Sequence, residues 1–384
     1  MSVSTPTPIF EAEQGIQEAV DALQRGRLVG LPTETVYGVA AWARHEEGIE
    51  RLRRLKVGGR PSAFTVHVGS LDAAGPILDA APPAARRLAR RGMPGPLTLI
   101  LELTPDREHA LAHAWGLDQA QLSGIVGNGS IALRCPSEAA AAEVLSAVPA
   151  PVVASSIRLD TRGPAVSADR AAERLGEAAE LVLDGGRCRY AKPSTVVRFP
   201  ACDPEAEGEP ATFTVDREGV YDRRMIRDMS QRTLLFVCSG NTCRSPMAEA
   251  IARSVLDTGR VRAAEGETPP VAVASAGVMA MPGAPASEEA VRVMRDRGID
   301  LSGHRSQPLT RELINKADAI FTMTSAHRDA VVELAPDAAE KTLRLDPDRD
   351  VTDPVGSDSA VYQQTAEMIR EALRRRLQEE WIQS

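Results

Sequence analysis

Residues 233–249 decide the fold of the second half of this 384-residue chain, and they read Thr-Leu-Leu-Phe-Val-Cys-Ser-Gly-Asn-Thr-Cys-Arg-Ser-Pro-Met-Ala-Glu. The run begins with the apolar residues of a buried strand, which ends at Cys238. A polar loop follows, after which Ser245 suits a helix N-cap and Pro246 suits the first helical turn. The stretch therefore predicts a strand, a tight loop and a helix, as in an α/β unit.

The loop in this stretch is a candidate anion site that contains a nucleophile. Cys238 and Arg244 stand six positions apart, so the amides between them can surround one tetrahedral oxyanion while the guanidinium adds paired donors. These amides belong to Ser239, Gly240, Asn241, Thr242 and Cys243. A helix N-terminus and a guanidinium favour negative charge on a nearby sulfur, and a thiolate attacks phosphorus. The stretch predicts a cysteine-based phosphatase; the alternative is that Cys238 is a small buried packing residue.

The same residues resemble the low-molecular-weight protein tyrosine phosphatase family. Further matching motifs continue to the end of the chain, and they are Ser275-Ala276-Gly277, Gly298-Ile299-Asp300, His304-Arg305-Ser306 and Asp353-Pro354. The resemblance implies that residues 231–384 form a doubly wound parallel-sheet domain that needs no cofactor. It also implies that Cys238 becomes phosphocysteine, that Arg244 binds the phosphoryl oxygens, and that Ser245 steadies the thiolate.

Asp353 corresponds to the family's general acid. The leaving group needs a proton, and a loop carboxylate that precedes a proline can be held rigidly over the pocket. The alternative is an ordinary turn aspartate. Asp346-Pro347 is a second pair of the same kind, but Val355-Gly356 and residues 362–365 match the family's tail after Asp353.

Substrate choice is predicted from the scarcity of aromatic residues near the motifs. Family members that act on phosphotyrosine usually hold the phenyl ring between aromatic side chains, whereas Asp353-Pro354 is followed here by Val355 and Gly356. Thr242 with this Asp-Pro-x-Gly pattern resembles the bacterial protein-arginine phosphatase branch. We therefore expect phosphoarginine to be favoured over phosphotyrosine.

Cys243 is either a partner for an oxidised Cys238 or a packing residue. Because no cysteine follows Cys243 in the chain, reduction of arsenate through a relay of disulfides is not expected.

Length and composition predict a cytoplasmic chain of two domains, with boundaries at 1–230 and 231–384. The formal net charge of −8 gives no overall basic field for nucleic acid, and five cysteines do not suggest a disulfide framework. No secretory signal, membrane span or metal-binding set of histidines is predicted.

The periodicity of apolar residues in the first half predicts alternating helices and strands. The predicted strands are 28–31, 97–103, 131–134, 151–154, 181–183, 195–197 and 213–215.

The first half contains a polar loop, Pro32-Thr33-Glu34-Thr35-Val36-Tyr37-Gly38, at the end of a predicted strand. Together with further motifs it resembles the YrdC-type threonylcarbamoyl-adenylate synthase family across residues 10–225. These motifs are Pro94-Gly95-Pro96-Leu97-Thr98, Ala132-Leu133-Arg134, Asp184-Gly185-Gly186 and Ser194-Thr195-Val196-Val197.

The resemblance of the first half to the synthase family implies a twisted open α/β sheet. It also implies that L-threonine, bicarbonate and ATP are joined into threonylcarbamoyl-AMP with release of pyrophosphate, for modification of tRNA adenosine. Mg²⁺ is a candidate metal for the nucleotide.

The matching site residues fall into two groups. Thr35, His67, Arg134 and Ser194 match the threonine side, and Lys56, Arg60 and Ser156 are candidates for the ATP side. A fixed guanidinium such as that of Arg134 suits a substrate carboxylate, although it also suits an ion pair. His67 can equally be a satisfied core residue.

Two departures from the synthase pattern leave its activity open. Gly58 takes the place of the family's arginine, with Arg60 two residues late, and Ser156-Ile157-Arg158 replaces a Ser-Ala-Asn signature. The first half is therefore either a working synthase or an inactive module that binds nucleotide, RNA or a partner. The predicted partners of the chain are phosphorylated proteins, and tRNA or tRNA-modification proteins.

Overall fold

The structure is a computed structural model that describes residues 5–55, 64–79, 81–149, 151–157, 163–201, 213–258 and 271–379. The described residues form two compact units, one ending at Ser230 and the other beginning at Gln231. Within these ranges, no helix combines the length and the apolar composition that crossing a membrane requires.

The N-terminal unit is built on one mixed sheet. Its strands are β1 (Ile9–Glu11), β2 (Val29–Leu31), β3 (Gly38–Trp42), β4 (Thr65–His67), β5 (Leu97–Glu102), β6 (Val126–Gly127), β7 (Ser130–Arg134), β8 (Val152–Ser156), β9 (Leu181–Asp184), β10 (Thr195–Phe199) and β11 (Thr214–Arg217). Its helices are α1 (Ala12–Gln24), α2 (Glu46–Leu55), α3 (Gly75–Leu78), α4 (Pro83–Gly92), α5 (Pro105–Trp115), α6 (Gln119–Ser123), α7 (Ala139–Ala147), α8 (Ala168–Leu175) and α9 (Arg223–Ser230). In the described residues the strand order is β1-β9-β2-β3-β8-β4-β7-β5-β10-β11, with β6 paired to β7.

Helices cover both faces of this sheet. Side chains alternate between faces along a strand, and in β3 Val39 and Ala41 join one buried cluster while Ala40 joins another. The second cluster includes Leu23 of α1 and Val144 of α7. In the middle of the sheet, β4 and β7 run parallel with the last residues of the two strands side by side, so their carboxyl ends share one edge of the sheet.

The C-terminal unit has a parallel sheet in the order β13-β12-β14-β15. The strands are β12 (Thr233–Cys238), β13 (Ala272–Gly277), β14 (Ala319–Thr322) and β15 (Thr342–Arg344). The helices are α10 (Arg244–Thr258), α11 (Glu288–Asp296), α12 (Arg311–Lys316), α13 (Ser325–Leu334) and α14 (Ser359–Glu379). Phe236 of β12 joins the cluster that contains residues of α10 and α14, whereas Val237 faces residues of α12 and α13. This is the expected doubly wound arrangement, with β15 added to the three strands predicted from the sequence.

Gly277, the last residue of β13, allows the loop after β12 to approach closely. A Cβ atom at Gly277 would lie 2.5 Å from the Ser239 carbonyl oxygen and 2.8 Å from the Asn241 backbone nitrogen. Both atoms belong to backbone, which cannot move aside as the end of a flexible side chain does. A side chain at position 277 would therefore displace the loop.

We expect Gly277→Ala to destabilise the C-terminal unit by about 1–3 kcal/mol, because of overpacking, and to lower the phosphatase activity that the sequence predicts for it. Thermal unfolding and aryl phosphate hydrolysis would measure both effects. Gly303→Ala is the matched control, because a Cβ there meets no atom within 4 Å. Equal behaviour of the two variants would contradict the role given to Gly277.

Candidate active sites

In the C-terminal unit, the predicted nucleophile lies at the carboxyl end of the central strand β12. Cys238 is 3% exposed, and its Sγ lies 2.9 Å from the Oγ of Ser245. Helix α10 begins at Arg244, one residue before the predicted cap, so the Ser245 hydroxyl faces the sulfur from inside the first turn. The loop between them lies at the edge of a parallel sheet where ligands usually bind.

The loop is held in shape through Asn241, which is buried and has a left-handed backbone with φ of 53°. Its side-chain amide donates to the Oγ atoms of Ser245 (2.9 Å) and Ser275 (2.8 Å). Its side-chain oxygen accepts from the backbone N–H of Gln307 at 2.8 Å. Its backbone oxygen lies 2.8 Å from Nε2 of His304. Asn241 therefore supports the loop from behind.

Arg244 brings the predicted general acid to the same loop. Its guanidinium is buried and donates through Nη1 to the carbonyl of Val351 at 3.2 Å. Through Nη2 it donates to Ser239 Oγ at 3.3 Å and to Asp353 Oδ2 at 2.5 Å. The side chain of Asp353 is 45% exposed. The nucleophile, the cation and an accessible carboxylate thus belong to one hydrogen-bonded assembly.

The second Asp-Pro pair has a different environment. Asp346 is buried, and its carboxylate accepts from the backbone N–H of Asp348 at 3.0 Å and from Nε of Arg349 at 3.2 Å. These bonds fix a turn after β15. This carboxylate therefore has a structural environment, unlike the exposed carboxylate of Asp353.

His327 is a site residue that the sequence reasoning missed. It belongs to α13, it is buried, and its Nε2 lies 2.9 Å from the Oγ of Ser239. Burial and the nearby Arg244 lower the pKa of His327 to about 4, so the ring is neutral at physiological pH. No motif marks this histidine in the sequence; only the pairing of β12 with β14 brings α13 to the loop.

The second loop cysteine and its neighbour Thr242 have distinct surroundings. Cys243 is a buried free thiol whose Sγ lies 3.3 Å from Ser287 Oγ and 3.4 Å from Tyr362 Oη. Burial and the contact with Cys243 raise the pKa of Tyr362 to about 12. The Thr242 side chain is partly exposed, and its backbone oxygen accepts from the N–H of Ser287 at 2.9 Å.

The N-terminal unit contains a cavity of about 410 Å³ over the middle of its sheet. His67, Arg134, Ser156 and Ser194, four of the predicted site residues, line it. Thr35 does not. Its fully buried hydroxyl lies behind the cavity wall, where it accepts from Arg134 Nη2 at 2.6 Å. Lys56, Arg60 and the two departures at Gly58 and Arg158 lie outside the described residues.

Arg134 is the charged centre of this cavity. Its Nη2 donates to Glu34 Oε1 at 2.8 Å and to Thr33 Oγ1 at 3.3 Å, in addition to Thr35. Its Nε is buried and has no hydrogen-bond partner among the described residues. Burial and the charge of Arg134 lower the pKa of the adjacent His67 to about 3, which keeps this imidazole neutral.

A second arginine, not identified from the sequence, lines the same cavity. Arg217 of β11 donates through Nη2 to Ser194 Oγ at 3.2 Å and through Nε to the Ser194 carbonyl at 3.1 Å. The Ser194 hydroxyl also lies 2.9 Å from Thr98 Oγ1. No signal in the sequence indicated that Arg217 belongs to a site, because it lies in a short exposed strand. The pairing of β11 with β10 brings Arg217 to the cavity.

Comparison with known families agrees with the division into two units. The Sua5/YciO/YrdC family model, described as "Telomere recombination", matches residues 21–206, and the model of low molecular weight phosphotyrosine protein phosphatases matches residues 233–381. The chain is 41% identical to the "Protein-arginine-phosphatase" of Geobacillus stearothermophilus over 134 residues, which are 34% of this chain and 82% of that protein. The chain belongs to both families. It is a fusion of a synthase-family unit with a phosphatase-family unit.

Two further relatives each match one of the two units. The "Probable low molecular weight protein-tyrosine-phosphatase EpsP" of Ralstonia nicotianae is 38% identical over 141 residues, 36% of this chain and 89% of that protein. The "Putative threonylcarbamoyl-AMP synthase" of Mycobacterium tuberculosis is 31% identical over 194 residues, 50% of this chain and 83% of that protein. The phosphatase-family unit therefore has relatives named for two different phosphorylated residues.

Substitution of Asn241 tests the support of the phosphatase loop. Asn241→Ala removes three side-chain hydrogen bonds. It also leaves an alanine, which has a Cβ but no polar group to offset the strain, in a left-handed backbone conformation. We expect a loss of about 2–4 kcal/mol in the free energy of unfolding, with at least about tenfold lower aryl phosphate hydrolysis. Asn241→Gly removes the same bonds without the backbone cost, so it should be about 1 kcal/mol less destabilising. Full activity in both variants would contradict the role of Asn241.

Proposed function

We propose that the phosphatase-family unit hydrolyses phosphorylated proteins through a phosphocysteine and prefers phosphoarginine to phosphotyrosine. Two observations carry this preference: Thr242 in the loop is partly exposed, and the carboxylate of Asp353 beside Arg244 is exposed. A carboxylate and a hydroxyl are acceptors for the N–H groups of a guanidine. The exposed large side chains of Met279, Met281 and Val355, which follow β13 and Asp353 in the chain, are apolar but not aromatic, so they offer no stacking surface for a phenyl ring.

The first chemical step follows from the geometry. The Cys238 thiolate attacks phosphorus, an S–P bond forms, and the bond from phosphorus to the leaving nitrogen or oxygen breaks. The loop amides and Arg244 stabilise the charge on the equatorial oxygens. Asp353, in its protonated form, gives its proton to the leaving group.

The second step hydrolyses the phosphocysteine. Asp353, now a carboxylate, takes a proton from water as the water oxygen attacks phosphorus. The S–P bond breaks, inorganic phosphate leaves, and the thiolate of Cys238 is restored. The Ser245 hydroxyl, 2.9 Å from Sγ, stabilises this thiolate by donating a hydrogen bond.

The preference is tested by measuring kcat/KM for phosphoarginine and phosphotyrosine peptides of the same sequence. We expect the wild-type chain to favour phosphoarginine, and Thr242→Val to shift the ratio toward phosphotyrosine by about tenfold, because one hydrogen bond to the guanidine is lost. Thr242→Ser keeps the hydroxyl and should keep the ratio. Cys238→Ser should abolish both activities. A wild-type preference for phosphotyrosine would reject the proposal, and residual activity of Cys238→Ser would remove the nucleophile's assignment.

We further propose that the synthase-family unit makes threonylcarbamoyl-AMP from L-threonine, bicarbonate and ATP. The unpartnered Nε of Arg134 supports this, because a buried guanidinium N–H at a cavity wall suits a substrate carboxylate. Arg217 adds positive charge for phosphate groups at the same cavity. No carboxylate is among the described lining residues, so Mg²⁺ would arrive bound to the nucleotide phosphates. The product would serve tRNA modification, which makes tRNA-modification proteins the expected partners in the cytoplasm.

A second candidate function for this unit is binding without catalysis. The buried carboxylate of Glu34 already neutralises Arg134, which weakens its attraction for an anionic substrate. The departures from the family pattern at Gly58 and Arg158 also weaken substrate binding if they remove contacts to the triphosphate. In that case the unit would bind nucleotide, RNA or a partner.

Pyrophosphate release by the full chain separates the two functions. We expect release that depends on ATP, threonine and bicarbonate together, and a loss of at least about tenfold in Arg134→Gln, which removes a charged contact to substrate. Arg198→Gln is the control, because this arginine pairs with Asp216 away from the cavity. Nucleotide binding without pyrophosphate release would favour the binding module.

A further inference from the structure

His327 contacts the phosphate-binding loop although it is not part of the loop motif. Its ring lies between two hydroxyl groups, with Nε2 at 2.9 Å from Ser239 Oγ and Nδ1 at 2.8 Å from Thr324 Oγ1. Thr324 is also the N-cap of α13 and accepts from the backbone N–H of His327 at 3.2 Å. The ring is therefore fixed from the end of the helix and directed at the loop.

The contacts of Arg244 favour one position for the proton on the ring. Arg244 has only donors, so Ser239 Oγ accepts from it at 3.3 Å, and its own proton is then available to Nε2 of His327 at 2.9 Å. Nε2 is then the acceptor, and Nδ1–H donates to Thr324. One chain of donors and acceptors runs from Arg244 through Ser239 and His327 to Thr324.

This chain differs from the contact between Arg244 and Asp353 in one respect. Asp353 must gain and lose a proton during each turnover, so its attraction for Arg244 changes within the catalytic cycle. The ring of His327 faces the charges of Arg244, Asp353 and Asp350, and burial keeps it neutral. The contact through Ser239 thus holds Arg244 in the same way in both protonation states of Asp353.

We propose that His327 is a positioning residue that orients the Ser239 hydroxyl and, through it, the Arg244 guanidinium for binding the phosphoryl oxygens. The inference rests on the phosphatase reaction of the proposed function, and it does not depend on which phosphorylated residue is preferred. A guanidinium that is free to tilt loses its paired hydrogen bonds to the phosphoryl group. Loss of the ring should therefore weaken both bound phosphate and the transition state.

The test uses the full chain with p-nitrophenyl phosphate as substrate and inorganic phosphate as competitive inhibitor. We expect His327→Ala to lower kcat/KM by about tenfold and to raise the inhibition constant of phosphate by about five- to tenfold, as for the loss of one hydrogen bond. His327→Gln can place an amide oxygen near Ser239 and should stay within about threefold of the wild type, as a replacement hydrogen bond would allow.

A double-mutant cycle with Ser239→Ala identifies the route. If His327 acts through the hydroxyl, the double variant should be no worse than Ser239→Ala alone, because the ring has no further effect once the hydroxyl is gone. Val331→Ala is the stability control, since it removes a buried side chain one helical turn further along α13, where it packs in the cluster that contains Val237 and Ile314. This control should lower the melting temperature and leave both constants unchanged.

Several results would overturn the inference. Unchanged constants in both His327 variants, or additive losses in the cycle, would show that the ring does not act through Ser239. A loss in Val331→Ala equal to that in His327→Ala would show a general effect of helix stability. Absence of hydrolysis by the wild-type chain would overturn the proposed phosphatase function together with this inference.

Discussion

The phosphatase site depends on the left-handed backbone of Asn241. A non-glycine residue in this conformation costs about 1–2 kcal/mol, and the side chain offsets that cost with hydrogen bonds to Ser245, Ser275 and Gln307. The turn lets the loop curl back toward the start of α10. Gly277 supports the same geometry from outside, because only a residue without a side chain lets β13 lie so close to the loop.

Once the loop is curled, the electrostatics of the site follow from Arg244. The guanidinium is buried against the loop. It contacts a hydroxyl of that loop and the segment after β15, which provides the carbonyl of Val351 and the carboxylate of Asp353. A buried cation without such partners would be strongly unfavourable. The contacts that keep Arg244 in the fold are thus the same contacts that would orient it toward a phosphoryl group in the proposed reaction.

The sequence predicted the parts of the fold whose causes lie close together along the chain. The strand, loop and helix around Cys238 have local signals, and they correspond to β12 and α10 and the loop between them. His327 could not be predicted, because it lies 88 residues from Ser239 and meets it only through strand pairing. In the N-terminal unit, β3 escaped prediction because its Gly-Val-Ala-Ala-Trp run lacks alternation. Thr35 was predicted to lie on the threonine side; in the structure its buried hydroxyl accepts from Arg134, which lines the cavity.

The two units use a buried arginine beside a carboxylate in different ways, and the exposure of the carboxylate explains the difference. Asp353 is 45% exposed and can exchange a proton with water or a leaving group, so its pair with Arg244 can open and re-form during a reaction. Glu34 is only 5% exposed, and it also accepts from the backbone N–H of Ser137 at 3.0 Å. Such a carboxylate is fixed by its hydrogen bonds. It orients Arg134 permanently and leaves Nε as the donor that faces no described acceptor, which is the arrangement of a binding site and not of an acid–base pair.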